Sequence, residues 1–171
     1  MAESITAEQL KALQAPLKER YKADPAAGIV AMHASGSIDA STLVCRVPTW
    51  AGPADAGLHP AAGGNGKEAC SGDMLLEALV ACAGVTLRAV ATAMGMKIRG
   101  GTVKAEGTMD FRGTLGVAKD APVGFQSIKL AFDLDTDEPP ERVAQLLKLT
   151  ERYCVIYQTL AKPPVVTAGA A

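Results

Sequence analysis

The most pronounced pattern in the chain is a long apolar stretch that predicts a helix over residues 71–96. Apolar residues occupy nearly every position between residues 74 and 85, so almost no polar face remains around that part of the helix. A helix that is apolar all round is buried on every side. The charges of Glu77 and Arg88 argue against a membrane span. One small domain can cover only part of such a helix, and we expect a dimer interface to cover the rest.

Capping residues set the ends of the predicted helices. Ser71 can cap the long helix, and Gly95 suits its C-terminus. Near the start of the chain, Thr6 and Gln9 fit a capping box for an amphipathic helix in which Pro16 should cause a kink or a break. Besides the long helix, the predicted helices cover residues 6–22, 138–152 and 155–161.

Period-two alternation predicts strands. It is cleanest over residues 126–134, where Ile128, Leu130, Phe132 and Leu134 alternate with polar residues, so one face of that sheet should be buried. Strands in groups with helices between them indicate the α+β class rather than alternating βαβ units. The other predicted strands cover residues 28–35, 39–47, 101–111 and 164–168.

A glycine-rich connector is predicted over residues 51–72. Long connectors in compact domains are usually functional or disordered, and a plain surface crossing is equally compatible with this one. A phosphate-binding loop is excluded, since Ala61 and Glu68 stand where such a loop needs glycine and a hydroxyl residue.

Composition narrows the function classes further. The length of 171 residues fits one domain, and 49% hydrophobic residues indicate a folded chain. A net charge of −1 and 4% aromatic residues argue against nucleic-acid binding and against a polybasic membrane anchor. The polar N-terminus carries no apolar signal core, so we expect a cytoplasmic protein with reduced thiols.

The four cysteines are the main candidates for chemistry. Cys82 lies in the middle of the long helix, where a packed small hydrophobe and a functional thiol are both open interpretations. Cys154 lies at the joint between two predicted helices, and a helix N-terminus lowers a thiol pKa. On local grounds Cys154 is therefore the better reactive candidate. Cys45, on a predicted strand, and Cys70, near the cap of the long helix, have no nearby partner in the sequence.

Metal and hydrolase chemistry find little support. The cysteine spacings fit no zinc finger, so we expect no metal site. His33 and His59 each stand alone in the sequence. A Cys-His hydrolase or transferase could use His59 as its base, but no spacing links that residue to a thiol.

Two segments contain three of the four cysteines: GLHPAAGGNGKEACSGDMLLEALVACAGVTL and, further on, RYCVIYQTL. These segments resemble the OsmC/Ohr family, the osmotically inducible protein C and organic hydroperoxide resistance proteins. The resemblance covers roughly residues 28–168, which divides the chain into an N-terminal helical extension (1–24) and an OsmC-like domain (25–171). It implies an OsmC-like α+β fold in which antiparallel sheets wrap around the long central helices of an intertwined homodimer.

The resemblance also implies thiol peroxidase chemistry without a bound cofactor. Cys82 would match the peroxidatic cysteine and Cys154 the resolving one. A dithiol of the dihydrolipoyl or thioredoxin type would then reduce the disulfide.

The family pairs its reactive thiolate with an arginine held by a glutamate, and here the match departs from the pattern. Gly72 stands where the family has the glutamate. The adjacent Asp73 is either a shifted, shorter substitute or a helix-start charge. Arg46 is the best candidate for the arginine, and a solvated strand charge is the alternative.

Two functions from different classes follow. The first is a cysteine-dependent hydroperoxide reductase in oxidative-stress defence, with Cys82, Cys154, Arg46 and Asp73 as its site. The second is a non-redox protein of the same fold that binds a small molecule in an apolar pocket at the dimer interface, which the missing glutamate favours. The hydrolase using His59 is a third and weaker hypothesis.

Overall fold

The computed structural model describes residues 5–170. Residues 1–4 of the predicted N-terminal extension and residue 171 of the predicted OsmC-like domain lie outside the described part of the chain. The chain forms two compact units. The first contains the chain up to Ile29, Ala78–Lys104 and the chain from Ala131 onward, and the second contains Val30–Glu77 and Ala105–Leu130. One helix and two strands contribute to both units.

Strands occur in groups along the chain with helices between them, as expected for the α+β class. The helices are α1 (Ala7–Ala23), α2 (Ser71–Ala93), α3 (Phe111–Thr114), α4 (Pro140–Tyr153) and α5 (Val155–Ala161). The strands are β1 (Ser37–Ile38), β2 (Cys45–Thr49), β3 (Gly52–Gly57), β4 (Ala69–Cys70), β5 (Ile98–Met109) and β6 (Phe125–Thr136). Short 3₁₀ turns cover Pro25–Gly28 and Pro60–Ala62.

The four short strands form a sheet in the second unit, in the order β1-β2-β3-β4. The first two pairs are antiparallel, and β3 pairs with β4 in parallel over two residues. The parallel pair departs from the predicted all-antiparallel arrangement, because the chain leaves the end of β3 and crosses back to the sheet edge before β4 begins. The long strands β5 and β6 form a separate two-stranded sheet.

The core of the first unit is built on one stripe of α2. Leu79, Ala83, Leu87 and Ala91 recur every fourth residue and are buried. Leu146 of α4 is fully buried in the same core, together with apolar residues of β5 and β6. The opposite side of α2 is open in the single chain. Its length and composition alone would also fit a membrane span, as those of a buried core helix in a globular protein do.

The predicted helices are confirmed to within a few residues, and so are the capping box of α1 and the glycine at the end of α2. Ser71 is itself the first residue of α2, so its predicted capping bond stays a prediction. Thr6 and Gln9 form both hydrogen bonds of a capping box, at 3.1 and 2.8 Å. Gly95 ends α2 in the left-handed region at φ 64°. The Met96 amide donates to the Ala91 carbonyl and the Gly95 amide donates to the Thr92 carbonyl, which together define a Schellman motif.

The predicted break at Pro16 is wrong, because α1 continues through it. Proline removes one hydrogen bond to the carbonyl four residues earlier. That carbonyl belongs to Ala12, which is exposed and can bond to water instead. The loss is therefore small on this exposed helix.

Several predicted strands are wrong or shorter than expected. Residues 29–36 and 162–170 contain no regular structure, and the strand expected over 39–47 begins only at Cys45. The predicted connector instead contains β3, which follows β2 through a two-residue turn, and β4. Glycine, alanine and proline dominate β3, so it lacks the β-branched residues that usually signal a strand. The cleanly alternating strand is confirmed within β6.

Candidate functional site

Two cysteines of the first unit meet through elements far apart in sequence. Cys82 is half-buried in the middle of α2, whereas Cys154 is fully buried between α4 and α5. The Cys154 amide donates to the Thr150 carbonyl at 2.9 Å, which completes α4. Its sulfur accepts a hydrogen bond from the Tyr157 amide at 3.5 Å, so Cys154 also caps α5.

Several groups near the Cys82 sulfur favour its ionisation. The backbone amides of Ile156 and Val155 and the side chain of Cys154 each act to lower its pKa. Thr86, one helical turn further along α2, acts in the same direction and has the smallest effect of the four. The first turn of α5 therefore presents its amides to a sulfur on a different helix.

The surroundings of the two thiols shift their pKa values in opposite directions. Burial acts to raise the pKa of Cys82, but the hydrogen bonds from Ile156, Cys154, Val155 and Thr86 outweigh it and lower the pKa. Burial raises the pKa of Cys154, and the bond to Cys82 raises it further. Cys82 is therefore the more readily ionised thiol of the pair, and Cys154 is the less readily ionised one.

The prediction that Cys154 is the more activated thiol on local grounds is wrong. The helix-start effect is present, but two of the amides of α5 are bonded to Cys82. Full burial of Cys154 opposes its own ionisation. The cysteine that directly precedes a helix is therefore not always the one whose charged form the helix amides stabilise most.

Arg46 lies in the second unit and has a carboxylate partner that sequence reasoning missed. It sits on β2 directly opposite Asp55 on β3. Its Nε and Nη2 donate to the two carboxylate oxygens, both at 2.7 Å. This two-pronged bond raises the pKa of Arg46 and lowers that of Asp55. A prediction of the β2–β3 hairpin would have revealed this partner, since the hairpin places residues 46 and 55 opposite each other.

Asp73 is exposed in the first turn of α2, where its charge suits the helix dipole. The neighbouring Gly72 faces apolar and sulfur-bearing groups. A Cβ at that position would lie 3.6 Å from the Cys70 sulfur, 3.6 Å from the Phe125 ring and 3.7 Å from the Met109 sulfur. The place of the family glutamate is therefore lined by soft, uncharged groups.

The remaining cysteines are not arranged as a pair. Cys45 stands opposite Ala56, and Cys70 stands opposite Gly57, on either side of β3. Adjacent positions of one strand point to opposite faces, and two strand spacings amount to about 9.6 Å. A disulfide needs Cα atoms within about 7 Å, so these two thiols cannot join without a rearrangement.

His59 has a local structural role. Its Nδ1 accepts a hydrogen bond from the Ala61 amide at 3.0 Å, and its ring stacks on Phe111 with centroids 5.0 Å apart. Because Nδ1 already accepts this hydrogen bond, it is not free to act as a base, which weakens the hydrolase hypothesis. Among residues 5–170, no three His, Cys, Asp or Glu side chains are grouped so that they could hold a metal ion.

Comparison with known proteins identifies the family. Residues 64–168 match the family model described as OsmC-like protein. The chain belongs to this family. The predicted family membership is confirmed, and the match includes both cysteine-bearing helices. No curated protein matches the chain.

Solved structures share the OsmC-like fold at low sequence identity. An OsmC-like protein from Mycoplasma pneumoniae superposes with a TM-score of 0.65 at 14% identity, over 78% of this chain and 89% of that one. An organic hydroperoxide resistance protein from Elizabethkingia anophelis gives 0.63 at 14% identity, over 79% and 91%. The corresponding protein from Bacillus subtilis gives 0.52 at 17% identity, over 77% and 93%.

Proposed function

We propose that this protein is a cysteine-dependent hydroperoxide reductase. The observation that carries the proposal is the hydrogen-bonded pair of Cys82 and Cys154, in which one pKa is lowered and the other raised. A peroxide needs a thiolate as its attacker, and the following step needs a second thiol beside it. The names of some structural relatives, organic hydroperoxide resistance proteins, point to the same substrate class.

The proposed reaction has three balanced steps. The Cys82 thiolate attacks one oxygen of the peroxide, the O–O bond breaks, and the departing alkoxide takes a proton to become an alcohol. Cys82 is left as a sulfenic acid. The Cys154 thiol then attacks that sulfur, and water leaves as the disulfide forms. A dithiol reductant of the dihydrolipoyl or thioredoxin type restores both thiols and becomes a disulfide itself.

The difference in burial supports these roles. Cys82 is half-buried, whereas Cys154 has no exposed surface, so we assign the encounter with peroxide to Cys82. The hydrogen bond between the two sulfurs means that little movement is needed for the second step. A thiol held this close also shortens the lifetime of the sulfenic acid.

Arg46 is proposed to attract the peroxide and to favour the thiolate, with Asp55 holding its guanidinium in place. Two parallel hydrogen bonds fix the plane of an arginine more firmly than one does. Asp73 stays a proposed member of the site as a charge at the start of α2. We further propose that the protein acts in the cytoplasm, where dithiol reductants are plentiful.

A homodimer is proposed as the working form, and the exposed apolar surface supports it. Large apolar side chains such as Met32 (91% exposed), Ile38 (86%) and Val85 (73%) lie open in the single chain. The segments predicted as strands over residues 28–35 and 164–168 form no strand and are also exposed. In an intertwined dimer, both segments could pair with strands of the partner.

A non-redox binding protein is the second candidate, and the surroundings of Gly72 favour it. The uncharged lining by Cys70, Met109 and Phe125 suits an apolar ligand better than a charge partner. In that case Cys82 would be a packed thiol rather than an attacker.

Peroxide consumption by the reduced protein distinguishes the two candidates. We expect turnover of an organic hydroperoxide with a dithiol reductant, loss of turnover in Cys82→Ser, and retention in the control Cys45→Ser. Peptide mapping after peroxide treatment should find a Cys82–Cys154 disulfide. Full activity in Cys82→Ser would contradict the reductase proposal. A folded protein that consumes neither organic nor hydrogen peroxide would favour the binding function.

A further inference from the structure

Cys154 alone connects two helices. Helix α4 ends at Tyr153, and α5 begins at Val155. The Cys154 amide completes the last turn of α4 by donating to the Thr150 carbonyl at 2.9 Å. Its sulfur accepts a hydrogen bond at 3.5 Å from the Tyr157 amide, in the first turn of α5. The backbone of this one residue therefore sets the angle between the two helices.

The core fixes α4 more firmly than α5. Leu146, Thr150 and Cys154 follow one another at intervals of four residues, and none of them has exposed surface. This buried stripe anchors the C-terminal half of α4. No residue of α5, Val155–Ala161, is buried in the same way. A helix of this length is too short to be stable without tertiary contacts, so α5 needs other interactions to hold its place.

Gln158 of α5 bonds to both sides of this joint. Its backbone amide donates to the Cys154 carbonyl at 2.9 Å, as the helix requires. Its side-chain Nε2 donates to the Glu151 carbonyl at 2.8 Å, across the joint. Glu151 lies in the last turn of α4, where backbone carbonyls lack a partner within the helix. The half-buried Gln158 side chain therefore ties α5 to the helix that the core already fixes.

We propose that Gln158 is a positioning residue, whose side-chain bond holds α5 against α4 so that Cys154 is oriented for disulfide formation with Cys82. The inference rests on the proposed reductase function and deepens it. Without the bond to Glu151, α5 can swing about the joint and withdraw the Tyr157 amide from the Cys154 sulfur. In the affected step, that sulfur forms a bond to the sulfenic sulfur of Cys82. The sulfenic hydroxyl group leaves with the thiol proton as water.

The test compares Gln158→Met with two controls in the full-length reduced protein. Methionine keeps the length of glutamine and removes its donor. Gln145→Met makes the same change at an exposed glutamine of α4 that lines the same surface groove. Gln158→Lys keeps a donor that can bond to a carbonyl at a helix C-terminus. Each protein is mixed with an equimolar amount of cumene hydroperoxide. Peroxide loss, dimedone-trapped Cys82 sulfenic acid and the Cys82–Cys154 disulfide are followed over time, the last two by mass spectrometry.

We expect Gln158→Met to slow disulfide formation by up to about 100-fold, the cost of misplacing a reacting group by about 1 Å. The sulfenic acid should accumulate in this variant. Peroxide loss in the first turnover should change little, since Cys82 is the only thiol that attacks the peroxide. Gln145→Met should match the wild type, and Gln158→Lys should lie close to it.

The outcomes separate this inference from the reductase proposal. Equal rates of disulfide formation in Gln158→Met, Gln145→Met and the wild type would overturn the inference and leave the reductase proposal standing. Equal slowing of peroxide loss and disulfide formation would show a general loss of structure and would overturn the inference as well. Circular dichroism shows whether each variant folds, and Gln158→Ala replaces Gln158→Met if methionine prevents folding. A wild type that forms neither sulfenic acid nor disulfide would overturn both.

Discussion

At the scale of single residues, the chemistry of the site depends on which atom each hydrogen bond reaches. Local sequence assigned the helix-start amides to Cys154, because it precedes α5. Burial of Cys154 outweighs the amides of Tyr157 and Ile156 that act on it, so its pKa is raised. The amides of Ile156 and Val155 also act on Cys82, whose pKa is lowered. No spacing in the sequence encodes a contact between residues 82 and 154. The expectation that these two cysteines act as a pair came from the resemblance to the family.

Substitutions in the pair of Arg46 and Asp55 can test whether Arg46 acts in catalysis or in stability. Ion pairs between exposed side chains contribute little to stability, and these side chains are 63% and 41% exposed. If the guanidinium acts on the peroxide, Arg46→Met should lower kcat/KM on the order of 100- to 1,000-fold, the range for removal of one group that stabilises transition-state charge. Asp55→Asn, which loosens the guanidinium, should have a smaller effect of the same sign.

Steady-state peroxide consumption measures both effects, and thermal melting provides the control. We expect the melting temperatures of Arg46→Met and Asp55→Asn to stay close to that of the wild type. An activity unchanged in Arg46→Met would return Arg46 to the role of a solvated strand charge. The matched substitution Arg112→Met removes an exposed arginine paired with Asp110, and we expect it to be without effect on activity.

At the scale of elements, helices were predicted better than strands, and the reason is physical. A helix bonds within itself, so its periodicity and caps lie in one stretch of sequence. A strand needs a partner, and residues 29–36 have strand-like composition but pair with no strand among residues 5–170. In contrast, β3 was missed and predicted as part of a connector. Its glycine, alanine and proline residues are not typical of a strand, although it pairs with β2.

The Schellman motif at the end of α2 offers a test of a predicted cap. Gly95 has φ 64°, and no atom lies within 4 Å of where its Cβ would be. Gly95→Ala should therefore cost only the left-handed backbone penalty, about 1–2 kcal/mol of unfolding free energy. Gly100→Ala in β5 is the control, since it has equal space and no positive φ. Urea unfolding measures both, and equal midpoints would show that the cap contributes nothing.

At the scale of the whole molecule, the single chain leaves many large apolar side chains exposed. Trp50 (108% exposed), Val165 (93%) and Met32 (91%) are all open to solvent. Large exposed apolar patches in soluble proteins mark interaction sites. The sequence indicated this indirectly, because α2 is apolar on nearly every face and only one stripe of it is buried within the chain.

We therefore predict that the purified protein sediments as a dimer, at twice the monomer mass of 17.6 kDa. The partner should cover the open side of α2. Burial of a charged side chain there would carry a high desolvation cost, so such a charge should prevent the interface from forming. Val85→Glu is expected to give a monomer. Val117→Glu is the matched control, because Val117 has the same 73% exposure but lies in the loop after α3. A folded wild type that sediments as a monomer at micromolar concentration would contradict the prediction. Dimers of Val85→Glu as stable as the wild type would place the interface elsewhere than on α2.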